Sequence, residues 1–274
     1  MFKRMLFALL ILVIALAGYS YWSAVRDPVQ RQAYISVSDW PAGAAALRII
    51  VISDIHVAGP DMPPERLARI VDRLNGLEAD LILIAGDLVS DKRLATRHYS
   101  ITEAVAPLAN LQADIGVYAV LGNHDHWRDA AAFQTELTNI GITVLENRAV
   151  AVGPIALIGI DDDFTGHSDI EAAFLAAEDL QGPVLVLSHN PDIVPDLPRP
   201  VALVAAGHTH CGQISLPLVG RLATASRYGE RFACGLIDDD GQQVVVGAGL
   251  GTSILPLRFG VPPDFWVIEL GSER

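Results

Sequence analysis

Five short apolar runs, each followed by aspartate, asparagine or histidine, constrain the fold of this chain more than any other feature. The runs are residues 47–53, 80–85, 117–121, 183–188 and 201–206. They are rich in Val, Ile, Leu and Ala and end in polar or turn-forming residues, which favours buried strands. Helical patterns lie between the first three, one opened by Pro63-Pro64-Glu65 and one near residues 99–111. This alternation predicts right-handed βαβ units and a parallel sheet core.

The second half of the chain is richer in strands. Helices are predicted at residues 129–139 and 169–177. Shorter strand candidates lie at residues 143–145, 149–152, 155–159, 213–216, 231–237, 242–246 and 264–270. Those in the C-terminal part alternate with Gly, Pro and Asp turns and include no convincing helix. We therefore predict an α/β fold that ends in a strand-rich segment.

Seven potential metal ligands follow the five apolar runs. They are Asp54, His56, Asp87, Asn123, His189, His208 and His210. Each alone has an ordinary explanation, since Asp often caps a helix and a single His often packs in a core. Five strand ends of the same kind favour a shared site, because ligands bind at the carboxyl ends of the strands in open α/β sheets. A mixture of carboxylates and imidazoles suits Mn, Fe or Zn better than Mg or Ca.

Charge and cysteine content limit the classes of function and of fold that the chain can have. The formal net charge of −13 argues against sequence-independent nucleic-acid binding, which depends on Lys and Arg neutralising phosphates. A phosphorylated substrate would therefore need a locally positive site, most simply bound metal. The two cysteines, Cys211 and Cys234, are too few for a disulfide framework, and we do not expect them to pair.

An almost unbroken apolar stretch runs from Met5 to Trp22 and ends in aromatic residues. Its length is close to the roughly 20 residues of a membrane span. A cleavable signal peptide is the alternative, because Ala15-Leu16-Ala17 resembles a cleavage site. We favour an uncleaved anchor, since the apolar stretch continues past Ala17.

The charges flanking this stretch predict its orientation. Lys3 and Arg4 precede it and favour a cytoplasmic N-terminus, although Arg26 and Arg31 beyond it weaken that prediction. We expect a single-pass protein of the cytoplasmic (inner) membrane with its catalytic domain on the outer face. The predicted segments are an anchor or signal segment at 1–25, an irregular linker at 26–46 and a catalytic domain at 47–271.

Five motifs now identify a family resemblance. In chain order they are Ser53-Asp54-Ile55-His56, Gly86-Asp87, Gly122-Asn123-His124-Asp125, His189 and Gly207-His208-Thr209-His210. They resemble those of the calcineurin-like metallophosphoesterases. The segment Gly249 to Arg258 is similar to one in the membrane-anchored or exported bacterial branch of that superfamily. The resemblance implies an α/β fold built as a two-sheet β-sandwich flanked by helices.

The resemblance also implies two divalent metal ions, with Mn, Fe or Zn as the candidates. Asp54, His56, Asp87 and His210 would hold one ion, and Asp87 would bridge to a second held by Asn123, His189 and His208. Two such ions can clamp a phosphate and lower the pKa of a bound water.

The residue after Asn123 is not a ligand in this scheme. His124 would donate a hydrogen bond to the phosphoryl group or a proton to the leaving oxygen, with Asp125 as its orienting partner. The alternative is that His124 only holds Asn123 in place.

We therefore expect a membrane-tethered dimetal hydrolase of phosphate esters or anhydrides. Its substrate would be a phosphorylated small molecule, a phospholipid-like molecule or a nucleotide-linked lipid, and not a nucleic acid. Two alternatives stay open. One is a UDP-2,3-diacylglucosamine pyrophosphatase of lipid A synthesis, which would have to face the cytoplasm, and the other is a non-catalytic anchored binding module of the same fold.

One late segment has two interpretations. Residues 249–259 are rich in Gly and Pro yet carry Ile254, Leu255, Leu257 and Phe259. Such a loop either folds back onto the core or meets an apolar partner. In the second case it would border the metal site and receive an acyl chain, with Arg258 contacting an anionic head group.

Overall fold

The computed structural model describes residues 1–92 and 94–273. Its helices are α1 (Phe2–Val25), α2 (Pro64–Asn75), α3 (Ile101–Val105), α4 (Asn123–Asn139) and α5 (Ile170–Leu175). Its strands are β1 (Val29–Ser36), β2 (Leu47–Ile52), β3 (Ala79–Ala85), β4 (Ala113–Val120), β5 (Thr143–Val144), β6 (Arg148–Val152), β7 (Ile155–Ile160), β8 (Val184–Ser188), β9 (Leu203–Ala206), β10 (Ser215–Leu216), β11 (Gly220–Arg221), β12 (Gly235–Asp239), β13 (Gln242–Val246) and β14 (Asp264–Gly271).

Two six-stranded sheets stack face to face. The first has the order β1-β14-β2-β3-β4-β5 and the second the order β12-β13-β9-β8-β7-β6. Strands β2, β3 and β4 are parallel in the first sheet, as are β7, β8 and β9 in the second. Helix α2 covers the outer face of the first sheet and α5 that of the second. The prediction of a two-sheet sandwich flanked by helices is confirmed.

The alternation within β2 shows why the central strands are apolar on both faces. Ile49 and Val51 pack between the two sheets, whereas Ile50 and Ile52 pack under the helices of the outer layer. Successive side chains of a strand point to opposite faces, so a strand buried on both sides must be apolar at every position. This is the origin of the continuous apolar runs in the sequence.

Residues 26–46 contain a strand that the sequence did not predict. Strand β1 runs parallel to β14 over its whole length and forms the edge of the first sheet. Val37 and Trp40 beyond it are also buried. The prediction of an irregular linker was therefore wrong for residues 29–36, because the pairing partner lies at the other end of the chain.

Helix α1 projects from the domain for most of its length. Its residues are exposed from Phe2 to Tyr19, and only Ser20, Ser23 and Ala24 near its end are buried. The backbone carbonyl of Ser20 accepts a hydrogen bond from the Arg258 amide at 2.9 Å. Helix α1 is long and apolar enough to cross a membrane, and it is a candidate span on those grounds.

Candidate metal centre

The polar side chains that follow five neighbouring strands meet at one edge of the sandwich. Strands β2, β3 and β4 lead to Asp54, His56, Asp87 and Asn123, and strands β8 and β9 lead to His189, His208 and His210. All seven side chains are buried. The structure therefore brings together every residue that the sequence predicts as a metal ligand.

The chain turns sharply where it presents these side chains. Asp54, His56, Asp87, His208 and His210 all lie in the left-handed region, with φ between 47° and 67°. Each such residue costs on the order of 1 kcal/mol or more of backbone strain, and residues of this kind concentrate at functional sites. These residues lie two to four positions after the ends of β2, β3 and β9, in the segments that present the side chains to the site.

Glycines let the neighbouring backbone approach the carboxylates. A Cβ atom at Gly207 would lie 2.5 Å from Oδ2 of Asp54, and one at Gly122 would clash with Asp87. No larger residue fits at these positions without moving a carboxylate. The glycines that precede Asn123 and His208 in the motifs are thus required for close approach.

The first half of the centre contains Asp54, His56 and His210. Nε2 of His56 lies 3.0 Å from Nε2 of His210 and 3.4 Å from Oδ2 of Asp87. Nε2 of His210 lies 3.5 Å from Oδ1 of Asp54. These four side chains surround one small volume.

The second half contains Asn123, His189 and His208. Oδ1 of Asn123 lies 3.2 Å from Nε2 of His189 and 3.0 Å from Nδ1 of His208. Nε2 of His189 lies 3.3 Å from Oδ2 of Asp87. The same oxygen of Asp87 therefore faces both halves, as a bridging carboxylate would.

The chemistry of these groups fits bound cations. Burial lowers the pKa of His56 and of His210 well below the usual value, so both are neutral and their Nε2 atoms face each other. The backbone carbonyls of Val89 and Ala85 accept from Nδ1 of His56 and of His189, which fixes the nitrogen that points into the site. Burial also raises the pKa of Asp54 to about 6. Cations between these groups would relieve the cost of burying carboxylates.

His124 lies beside this cluster, and the carboxylate of Asp91 lies next to its ring. Its ring packs against that of His56 with the centroids 4.8 Å apart, and its Nδ1 lies 3.3 Å from Oδ2 of Asp91. Sequence reasoning missed Asp91. Its signal was a second carboxylate four residues after Asp87 in the same loop.

Asp125 has a different role from the one predicted. Its buried carboxylate accepts hydrogen bonds from the backbone amides of Gly122, Asp87 and Leu88 at 3.0, 2.8 and 2.8 Å. The prediction that it orients His124 was wrong, because its oxygens accept from these amides and the partner of His124 is Asp91. It fastens the start of α4 to the loop that carries Asp87.

Comparison with known proteins decides the family. The family model for calcineurin-like phosphoesterases matches residues 47–212. The chain belongs to the calcineurin-like phosphoesterase family. Metal-dependent hydrolysis of phosphoesters is the chemistry of this family, and the superfamily predicted from the motifs is confirmed.

Relatives of this chain occur in bacteria and animals. The uncharacterized metallophosphoesterase YkuE of Bacillus subtilis is 32% identical over 240 residues, which cover 85% of this chain and 82% of that protein. A "transmembrane protein with metallophosphoesterase domain" from Danio rerio is 32% identical over 94% of this chain. The chain spans 60% of the Danio rerio protein and 60% of a Helicobacter pylori metallophosphoesterase. A 5'-nucleotidase precursor from Thermus thermophilus superposes with a TM-score of 0.47 at 17% identity, over 75% of this chain and 49% of that one.

An apolar cavity of about 450 Å³ opens directly onto the cluster of predicted ligands. Its apolar wall consists mainly of Trp127, Phe164, Ile214, Leu222, Ile254 and Leu255. The ring of Trp127 lies 4.8 Å from that of His124, and the ring of Phe164 lies 4.9 Å from that of His208. Sequence reasoning missed both aromatic residues, since a lone aromatic in a helix or turn carries no local signal for a cavity.

The loop at residues 249–259 both folds back and borders the centre. Leu250 is buried in the core, whereas Ile254 and Leu255 line the cavity. Arg258 is fully buried, and its guanidinium donates to the backbone carbonyls of Ala248, Gly249 and Gly251 at 2.6 to 3.1 Å. The expectation that Arg258 contacts an anionic head group was wrong, because its guanidinium is buried and already donates to these carbonyls.

Cys211 and Cys234 form a disulfide, which the sequence analysis did not expect. The bridge joins the turn immediately after His210 to the segment that precedes β12. The cysteines are 23 residues apart, and a fold that brings them together cannot be inferred from two positions alone. The turn that carries two predicted ligands is thus covalently fixed.

Proposed function

We propose that this protein is a dimetal hydrolase of phosphate esters or anhydrides, and that its substrate carries an apolar chain beside the scissile group. The hydrolytic part of the proposal rests on the family and on the buried cluster of ligand types. The substrate part rests on one observation, the apolar cavity that opens directly onto that cluster.

The ligand assignment is part of the proposal. Asp54, His56, Asp87 and His210 would hold one ion, and Asp87, Asn123, His189 and His208 the other. When bound, such ions polarise the phosphoryl group and lower the pKa of an attacking water. The mixed oxygen and nitrogen donors suit Mn, Fe or Zn.

His124 acts on the leaving group in this proposal. It lines the cavity, and Asp91 accepts a hydrogen bond from its Nδ1, which leaves Nε2 available to the substrate. A protonated imidazole can then donate to the leaving oxygen as the bond to phosphorus breaks. Asp91 keeps the ring in this orientation.

The apolar wall selects the substrate class. Trp127, Phe164, Ile254 and Leu255 offer contacts to a hydrocarbon chain, and they surround the mouth of the centre. A phospholipid-like or lipid-linked phosphate would place its head group at the metals and its first methylene groups against this wall. A small polar phosphoester would leave the wall exposed to water.

We propose that α1 spans the membrane and that the catalytic domain lies on its outer face. Lys3 and Arg4 at the start of α1 favour a cytoplasmic N-terminus. The Cys211–Cys234 disulfide also favours an oxidising compartment. Both observations oppose a cytoplasmic nucleotide-lipid pyrophosphatase, and the complete set of ligand types opposes a binding module without catalysis.

The test is hydrolysis by the full chain in detergent, loaded with Mn or Zn, of two esters that share one scissile group. One ester carries a long acyl chain and the other a short, soluble one. We expect the long-chain ester to have a clearly higher kcat/KM. Equal kcat/KM values would contradict the substrate class, and no hydrolysis of either ester by fully metal-loaded protein would contradict the hydrolase.

A further inference from the structure

The hairpin formed by β10 and β11 carries large apolar side chains that nothing in the described chain covers. Leu218 at its tip is fully exposed, and Val219 and Leu222 are 69% and 57% exposed. The segment from Gln213 to Gly220 contains no charged residue. An uncharged, apolar tip of this kind marks an interaction surface in a protein whose net charge is −13.

The base of this hairpin is joined to the end of α1 through one intervening segment. The amide of Ser215 donates to the carbonyl of Phe259 at 2.8 Å, and the amide of Phe259 donates to the carbonyl of Gln213 at 3.1 Å. On its other side, the ring of Phe259 meets that of Tyr19 with the centroids 5.5 Å apart. The hairpin is therefore fastened to the same segment that packs on α1.

The aromatic residues at the end of α1 indicate where the surface of a bilayer would lie along the helix. Tyr19, Tyr21 and Trp22 lie just before the helix enters the domain, and all three are exposed. The ring centroids of Tyr19 and Trp22 are 5.8 Å apart. Tyr and Trp concentrate at the boundary between lipid and water. Because Phe259 contacts Tyr19, the base of the hairpin lies beside this boundary whenever α1 spans a membrane.

We infer that the tip of the hairpin, residues 216–220, inserts into the outer leaflet as a second membrane contact. The inference rests on the proposed placement of α1 in the bilayer. Leu222 belongs both to the hairpin region and to the cavity wall, as does Ile214 at its base. Two contacts, α1 and the hairpin, would thus hold the cavity mouth next to the lipid surface, where an acyl chain can enter without crossing water.

The direct test places a fluorescent label at the tip of the full-length chain in vesicles. Leu218→Cys introduces the only free thiol, since the two native cysteines are paired. Labels at Leu12→Cys in α1 and at Leu175→Cys on α5 serve as controls, and all three native side chains are exposed leucines. Vesicles containing lipids with a quencher on the acyl chain report contact with the bilayer.

We expect quenching at residues 12 and 218 and none at residue 175. Quenching at 12 without quenching at 218 would overturn the hairpin contact and leave the membrane span intact. Absence of quenching at both 12 and 218 would overturn the span as well. A label at 218 that is shielded only at high protein concentration, without lipid quenching, would assign the tip to a second copy of the chain and overturn the inference.

A second measurement uses activity and does not depend on labelling. The variant Leu218→Asp/Val219→Asp alters two side chains that lie outside the cavity wall. We expect a lower rate on a long-chain ester embedded in vesicles and an unchanged rate on the short soluble ester, since a charged tip is expelled from lipid. Equal rates of variant and native protein on the embedded ester would overturn the inference.

Discussion

Nδ1 of His124 lies 3.3 Å from a carboxylate oxygen of Asp91, and Asp91 also lies 3.9 Å from the guanidinium of Arg128. His124 lies on α4, but its imidazole is oriented by Asp91, which lies in the loop after β3. Asp91 is not a predicted metal ligand, so a substitution there tests the orientation of His124 separately from the binding of metal.

The change Asp91→Asn should lower kcat by on the order of tenfold while two metal ions per chain remain bound. An amide places no negative charge beside the imidazole, but it can still accept a hydrogen bond from Nδ1 and keep the ring in place. The measurements are kcat and metal content. Loss of metal in this variant would mean that Asp91 supports the metal cluster rather than His124.

The change His124→Ala should keep both metals and lower kcat by roughly 10²-fold or more, as is typical when a general acid is removed. The loss should be smaller for an ester with a good leaving group such as nitrophenolate, because such a group needs no proton. Turnover of good and poor leaving groups is measured side by side. Equal losses would assign His124 to positioning the phosphoryl group.

The change Asp87→Asn should release both metals together. One oxygen of Asp87 faces His56 and His189 at 3.4 and 3.3 Å, so a single substitution removes a negative charge from both halves of the centre. Metal analysis of the purified variant tests this expectation, with Asp91→Asn as the matched control. Retention of two ions per chain would contradict a bridging role.

The change Leu255→Ser should raise KM for the long-chain ester and leave the short soluble ester unaffected. Leu255 lines the cavity, so a hydroxyl there weakens contact with a hydrocarbon chain. Leu236→Ser is the matched control, because Leu236 is an exposed leucine on β12 outside the cavity. An equal loss with both esters would indicate a general structural effect at residue 255.

Removing the disulfide by Cys211→Ser/Cys234→Ser should lower the free energy of unfolding by about 3 kcal/mol, the value expected for a loop of this length. The melting temperature should fall by roughly 5–10 °C. Treatment of the native protein with a reductant should lower it similarly. If neither treatment changes the melting temperature, the bridge does not form in the folded protein.

The central strands and the positions after them could be predicted because their signals are local. A strand buried on both faces is apolar at every position, as in β2, and the polar residue that ends it stands out at once. Neighbouring parallel strands β2 and β3 then bring Asp54 and Asp87 together, whereas His189 joins them because β8 lies in the second sheet, which stacks on the first. The signals of the strands, and of the polar residues that end them, do not depend on contacts between distant parts of the chain, but the stacking of the two sheets does.

Strand β1 and the surroundings of Arg258 depend on where the folded chain places its backbone, and sequence reasoning missed both. The side chain of Arg31 on β1 forms an ion pair with Asp264 of β14, which is 233 residues away. No short window of sequence therefore reveals that β1 is a strand. A cation in an apolar loop suggests a contact with an anionic ligand, which is why the sequence predicts that role for Arg258. In fact the loop turns its own carbonyls towards that side chain, and this geometry exists only after folding.

The seven predicted ligands are divided between the two sheets of the sandwich. Asp54, His56, Asp87 and Asn123 follow strands of the first sheet, and His189, His208 and His210 follow strands of the second. Ions held there would act as cross-links between two layers that otherwise meet largely through apolar packing, together with hydrogen bonds such as the one from Nδ1 of His189 to the Ala85 carbonyl. Metal occupancy and the cohesion of the sandwich are then thermodynamically linked, because whatever binds only the folded state stabilises it. Depletion of metal should therefore increase amide hydrogen exchange first where the two layers meet at this edge, well before the helices on the outer faces respond.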